Sequence, residues 1–299
     1  MLAKLGSIIG PIWNCGADRA PLCLTNCVFG CNLHAPHSLR PAIGAGFLWI
    51  GDSGVMNKAF VLVYGLVGYA AFFGTILYAI GFVGNVAVPK SIDAGGEATS
   101  TGYIVNALLL GLFAVQHTIM ARPAFKEWWT QFVPKPIERS TFVLAASLLL
   151  CLMYWQWRPM PTVIWQVDHP FFRGLLQVLY YTGWALVFYS SFVIDHFDLF
   201  GLRQVVLHWL GKPYTQPPFV VRSLYHFVRH PLMVGFLLAF WSAPTMTQGR
   251  LLFSVLTTGY ILLGIMLEER DLGRILGMPY LQYRQRTPML VPFLRTAKG

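Results

Sequence analysis

Charge is what this chain has least of. Only 11% of its 299 residues are Asp, Glu, Lys or Arg, against about a quarter in an ordinary soluble domain. With 56% hydrophobic residues beside it, that scarcity excludes a water-soluble globular chain and implies an integral membrane protein embedded in a lipid bilayer. The few charges are also unbalanced, giving a formal net charge of +10. No soluble segment gathers them into a basic patch interleaved with aromatics, so a nucleic-acid partner is not expected; the excess fits Lys and Arg held in cytoplasmic loops. Cysteine is nearly missing from the body of the chain. Four of the five, Cys15, Cys23, Cys27 and Cys31, fall near His34 and His37, and no Cys-x-x-Cys pair is among them, so no metal site is expected there. Residues 1–55 lack a helical period, and they lack the continuous apolar core of a secretory signal. They are expected to be a disordered or misassigned extension, because Met56-Asn57-Lys58 directly precedes the first apolar span. Residues 56–299 are then expected to form a single transmembrane domain.

Long apolar runs are abundant. A membrane helix needs about 20 mostly apolar residues, and windows of that kind run near 60–83, 103–120, 141–157 and 175–194. Residues 232–267 are too long for one span, and Pro244 with Gln248-Gly249-Arg250 predicts a tight turn between two paired helices. The expected architecture is therefore all-α, with five to six transmembrane helices that include a C-terminal hairpin. The basic residues orient it: Arg122, Lys126, Lys135 and Arg139 share a side with Arg203, Lys212, Arg222 and Arg229 and with Arg270, Arg274, Arg284 and Arg286, which the positive-inside rule assigns to the cytoplasm. Trp128, Trp129, Trp155, Trp157, Trp165, Trp209 and Trp241 sit near predicted span ends, as an interfacial belt would.

Ionisable residues at membrane depth are costly and tend to be functional. Arg229-His230-Pro231 puts Pro at the first turn of a helix, where its missing N–H costs nothing, and neighbouring N–H groups could bind a carboxylate. Glu268 and Glu269 lie at the same level at the end of the returning helix. Together these residues could hold a zwitterionic nucleoside amino acid; they could equally be an ion pair that pins the hairpin. Asp195-His196 closes the fourth span and His117 the second, on the same side. A carboxylate that orients an imidazole is a common way to build a general base, so Asp195, His196 and His117 are the candidate catalytic set. His169 and His208 read as solvated loop residues. His226 precedes His230 by four, but no third ligand accompanies them as a metal site would require.

The segment Arg229-His230-Pro231-Leu232-Met233-Val234-Gly235, the hairpin, the Glu pair and the tail Gly277-Met278-Pro279-Tyr280-Leu281-Gln282-Tyr283-Arg284 resemble the isoprenylcysteine carboxyl methyltransferase superfamily of membrane methyltransferases. Within it the chain looks most like the bacterial methanethiol S-methyltransferases. Gln116-His117-Thr118-Ile119-Met120-Ala121-Arg122-Pro123, Trp155-Gln156-Trp157-Arg158-Pro159 and Ile194-Asp195-His196-Phe197-Asp198 carry that closer likeness, which spans about residues 56–293. Met233 departs from the Tyr found in many members and removes a hydroxyl there.

The resemblance implies S-adenosyl-L-methionine as cofactor, bound in a cytoplasmic cap at about 222–293. Tyr225, Arg229, His230, Pro231, Leu232, Gly235, Glu268, Glu269, Tyr280 and Tyr283 are its implied contacts. It also implies a bacterial inner-membrane enzyme with its active site on the cytoplasmic side. The implied reaction moves a methyl group to methanethiol, a small volatile thiol, giving dimethyl sulfide and S-adenosylhomocysteine. Another acceptor on the same fold (isoprenylcysteine carboxylate, amine or phospholipid) and a non-enzymatic transporter or assembly factor remain the alternatives.

Overall fold

The first apolar run becomes a helix as soon as a cap is available. The Asn57 side chain accepts a hydrogen bond from the Ala59 amide and opens α1, Lys58–Gly84, which closes on Asn85 in the left-handed conformation. Thr99 caps α2, Ser100–Ala121, in the same way through the Gly102 amide. Pro near the N-terminus starts α4, Lys135–Gln156, and α5, Pro170–Ile194, where the missing N–H is one that a helix leaves unpaired anyway. The computed structural model describes residues 57–97 and 99–292, all within one compact unit; the expectations for residues 1–55 lie outside the described residues.

Four helices, α1, α2, α4 and α9 (Gln248–Leu276), are long and apolar enough to cross a membrane. Their surfaces agree with that role. Ile104, Leu108, Leu112, Val115 and Ile119 of α2 are all exposed, and their spacing makes one continuous apolar stripe along the helix. Water would penalise such a stripe and lipid does not. Helix α5 has 25 residues. Helix α8, Pro231–Trp241, has 11; at 1.5 Å per residue it is about 16 Å long, short of the roughly 30 Å hydrocarbon core.

The hairpin is present, with its turn differently placed. Gln248-Gly249-Arg250 is the first turn of α9, because the Thr247 hydroxyl accepts the Arg250 amide and caps the helix. The reversal lies at 242–247, around Pro244, and includes a short strand β2, Thr245–Thr247, paired antiparallel with β1, Val163–Gln166. This small sheet was not expected of an all-α chain. Helix α9 also runs two turns beyond the Glu pair, to Leu276.

Helix α8 packs on α5 at very short range. A Cβ on Gly235 would lie 2.7 Å from the Gly183 carbonyl, and one on Gly183 would lie 2.6 Å from the Ala239 amide. Only glycine permits that approach. Phe82, Tyr154, Trp157, Tyr180, Trp184 and Phe253 fill the space between α1, α4, α5, α8 and α9.

Short helices gather at one end of the bundle: α3 (Pro123–Trp129), α6 (His196–Leu199), α7 (Leu202–Trp209) and α10 (Met278–Arg286). Contacts distant in sequence hold that end together. Arg122 pairs with Asp271 at 2.8 Å, Arg139 Nε donates to the Leu199 carbonyl at 2.8 Å, and Tyr283 Oη donates to the Tyr225 carbonyl at 2.6 Å.

Candidate active site

The end of α5, the extended segment 216–222, the start of α8 and α10 surround a cleft of about 470 Å³, within the usual range for small-ligand sites. Asp195 and His196 line it together with Tyr225, Arg229, His230, Tyr280 and Tyr283. Two groups of residues assigned separately in sequence, for catalysis and for cofactor binding, therefore face one space. Phe192, Phe197, Phe219, Leu272 and Leu276 supply an apolar lining.

Arg229 is held by the protein through Nε and Nη1. Its Nε donates to Glu269 Oε1 at 2.7 Å, and its Nη1 donates to the carbonyls of Arg284 and Thr287. Glu269 also meets His230 Nε2 at 3.1 Å and Arg284 Nε at 3.2 Å. The backbone amides of Arg229 and His230 donate to the carbonyls of Pro288 and Met289. These amides are therefore not open to a ligand carboxylate as expected, because the chain after α10 folds back and takes them. Arg229 and Glu269 form a buried hub joining α8, α9 and the C-terminal segment.

Glu268, one residue away, has no such partners. It is 0% exposed, its Oε2 stands 3.9 Å from His230 Nδ1, and neither oxygen is hydrogen-bonded. His230 Nδ1, Tyr225 Oη and Tyr280 Oη are likewise buried without a hydrogen-bond partner among the described residues. Burying polar groups unpaired costs free energy; three of these groups, on Tyr225, His230 and Tyr280, belong to residues that line the cleft, where a polar ligand can supply the missing bonds, while others, such as Trp184 Nε1 and Gln248 Oε1, lie outside it. Burial raises the phenol pKa values of Tyr225, Tyr280 and Tyr283, so all three remain hydroxyl donors at neutral pH.

His196 is almost completely buried, stacked face to face on Phe192 with ring centroids 4.3 Å apart. Its Nδ1 lies 2.8 Å from Ser191 Oγ and its Nε2 lies 2.9 Å from Tyr69 Oη. Burial holds its pKa below the ordinary value of 6.5, partly opposed by the Asp195 carboxylate. Asp195 does not orient the ring as expected: it sits in the left-handed conformation at the end of α5, and its Oδ1 accepts the Asp198 amide to cap α6. The ring nitrogens meet Ser191 and Tyr69 instead, so adjacency in sequence does not make the carboxylate a partner of the imidazole.

His117 stands apart. It stacks on Phe113 at 5.2 Å and packs on Phe142 and Tyr260, and it does not line the cleft. Pro231, Leu232, Gly235, Glu268 and Glu269 do not line it either; Pro231 starts α8, Gly235 makes the contact with α5, and the two carboxylates are buried behind the lining. Sequence reasoning missed Ser191, Tyr69, Arg284 and the Gln216–Arg222 wall. Tyr69 lies 127 positions from its partner, and no local pattern records such a pairing. The only signal for the wall was Pro217-Pro218, which forbids a helix there.

A helical membrane protein with a polar cleft at one end of its bundle, lined by a buried imidazole and unpaired donors and acceptors, has the layout of a membrane-embedded enzyme. The chain is 52% identical over 264 residues to methanethiol S-methyltransferase 1 of Bradyrhizobium diazoefficiens, covering 88% of this chain and 90% of that protein. It is 52% identical over 239 residues to the methanethiol S-methyltransferase of Mycobacterium tuberculosis, covering 80% and 98%. This chain belongs to the methanethiol S-methyltransferase family and is a methyltransferase. A more distant likeness, 36% identity over 173 residues, or 55% of this chain and 65% of the other, links it to Nurim of Mus musculus. No protein-family model and no solved structure matches the chain. The Bradyrhizobium match is longer than the stretch from Met56 to Gly299, so part of the N-terminal segment has a counterpart there.

Proposed function

We propose that this protein transfers a methyl group from S-adenosyl-L-methionine to methanethiol, releasing dimethyl sulfide and S-adenosylhomocysteine. The observation that carries this reading is the cleft itself, where His196 faces unpaired polar groups across an apolar lining. The names of the relatives supply the acceptor. The cofactor supplies an electrophilic methyl group on a cationic sulfur.

The residues present fit such a ligand. Tyr225 and Tyr280 hydroxyls and His230 Nδ1 offer bonds to its polar groups, and Glu268, outside the lining but 3.9 Å from His230 Nδ1, places a negative charge behind them that favours its ammonium. The aromatic faces of Phe192, Phe197 and Phe219 suit a sulfonium, since ring faces attract cations. Arg229 and Glu269 act on the site by fixing where α8, α9 and α10 meet. His196, neutral at physiological pH, takes the thiol proton; a thiol is a weak nucleophile until it becomes a thiolate. The apolar lining excludes water and leaves methyl donor and sulfur to be aligned by contact, which is how positioning lowers a barrier. His117 shapes the helix packing behind Phe142 and takes no part in the proton transfer.

The same reading places α5 as a fifth span and α8 as a half-length arm of the hairpin, with residues 56–299 as one transmembrane domain. Arg122, Lys126, Arg203, Lys212 and Arg222 in the loops at the cleft end support a cytoplasmic side for it by the positive-inside rule, and the bacterial relatives support an inner membrane. The test is a headspace measurement of dimethyl sulfide above membranes supplied with methanethiol and S-adenosylmethionine. Production that needs both compounds and this chain is expected; its absence would remove the reading.

A further inference from the structure

The hydrogen bonds around His196 assign its tautomer. Ser191 Oγ donates its single proton to the Phe188 carbonyl at 2.7 Å. At His196 Nδ1, 2.8 Å away, the same oxygen can then only accept. With the Ser191 proton on that carbonyl, the proton of the neutral ring sits on Nδ1. Nε2 is left as a lone pair, and Tyr69 Oη, 2.9 Å away, is the donor to it. Both ring nitrogens are thus occupied, and a proton arriving at Nε2 has to come through the Tyr69 hydroxyl. Tyr69 does not itself line the cleft; it is only partly buried, and its ring lies 6.1 Å from that of Phe197, a residue that does.

We propose that Tyr69 relays the thiol proton to His196 while Ser191 holds the imidazole in the accepting tautomer. This rests on the base role given to His196 above. The thiol S–H bond breaks and its proton bonds to Tyr69 Oη, directly or across one water. The proton already on Oη passes to Nε2, giving an imidazolium that keeps its Nδ1–H bond to Ser191. The electron pair left on sulfur forms the new S–C bond as the methyl–sulfonium bond breaks toward S-adenosylhomocysteine. His196 then returns its proton to solvent by the reverse path. Ser191 is a positioning residue, since it acts only through the ring.

Two measurements test this. In protein carrying 15N-labelled histidine, the resonances lost in His196→Ala should report Nδ1–H in the parent. They should shift toward the Nε2–H form in Ser191→Ala and stay unshifted in Ser190→Ala, which removes the neighbouring hydroxyl. An Nε2–H ring in the parent would overturn the assignment. In the second measurement, Tyr69→Phe should lower dimethyl sulfide turnover about as far as His196→Ala, within the roughly 10²–10⁴-fold that acid–base catalysis supplies. Calorimetric affinity for S-adenosylhomocysteine should be kept, and the defect should shrink as pH approaches the thiol's own pKa. Parental turnover in Tyr69→Phe beside an inactive His196→Ala would discard the relay alone. Parental turnover in His196→Ala would discard the base reading beneath it.

Discussion

The two ends of α9 treat polar groups in opposite ways. Near its start, Arg250 Nε donates to Asp93 Oδ2 at 2.7 Å, Thr247 Oγ1 donates to Asp93 Oδ1, and Asn85 Nδ2 joins the same carboxylate. Close by, Trp157 Nε1 donates to the Ile92 carbonyl, and Asn106 bridges to the Arg158 backbone in both directions. About 27 Å along the helix, by its rise of 1.5 Å per residue, the Glu268 carboxylate and the Tyr225 and Tyr280 hydroxyls lack hydrogen-bond partners among the described residues. The Asp93 network holds the fold, and the unpaired tyrosines and His230 lie where a ligand can enter; Gln248 Oε1 is the exception at the start of the helix, buried without a partner among the described residues. The contrast is sharpest between Glu269, bonded by Arg229, His230 and Arg284, and its neighbour Glu268.

That contrast breaks if substitutions at the two ends have the same consequence. The largest effect belongs to His196→Ala, expected to reduce turnover by about 10²–10⁴-fold with affinity for S-adenosylhomocysteine retained. Asp195→Asn should cost less, because it removes a cap on α6 and not a bond to the ring. In the parent, kcat/KM should fall on the acid side only below pH 6.5, because burial depresses the His196 pKa and protonation removes the base. The same depression gives a sign for stability. The unfolded chain binds the proton more readily, so this group's contribution is complete above about 6.5 and is lost as pH falls. A pH–rate profile locates the limb; an acid limb above 6.5 would contradict it.

Next in size is Arg229→Ala, which leaves Glu269 buried without its main partner and should destabilise by about 3–5 kcal/mol. Thermal unfolding in detergent should show a lower Tm even before ligand is added. A variant with parental Tm but no ligand affinity would instead make Arg229 a ligand contact. Glu268→Gln should do the reverse. It should keep the parental Tm and lose affinity for S-adenosylhomocysteine by the roughly 1.5–3 kcal/mol of a charge-assisted hydrogen bond, which calorimetry reads as about ten- to a hundredfold.

At the far end, Asp93→Asn weakens the network with Arg250 and Thr247 and should cost about 1–3 kcal/mol of stability, with turnover per folded molecule unchanged. A fall in cofactor affinity there would show that the two ends are coupled. Beginning the chain at Met56 should change least: insertion and turnover are expected to survive, because α1 carries its own cap at Asn57. Loss of insertion would give residues 1–55 a role in assembly, which their partial counterpart in the Bradyrhizobium relative makes worth testing.

The amino-acid sequence by itself determined that this is a helical membrane protein, because apolar length and scarcity of charge leave a chain few other ways to satisfy its backbone in lipid. It also located α1 and α2 to within three residues and the ends of α4 and α5 closely, with their starts five or six residues ahead of the expected windows, and it drew Asp195, His196, Arg229 and His230 to notice as ionisable groups beside apolar runs, with Tyr225, Tyr280 and Tyr283 added by the family resemblance. Tertiary structure decided which of those groups are free. Glu268 and Glu269 are identical neighbours in sequence, and only the packing of the start of α8 and of α10 against α9 pairs Glu269 with Arg229, His230 and Arg284 and leaves Glu268 without such bonds. The partners of His196 come from α1 and from the preceding turn of α5, and the exclusion of His117 comes from its packing on Phe113 and Phe142. Pairings of this kind depend on distances across the bundle, which local composition and periodicity do not encode.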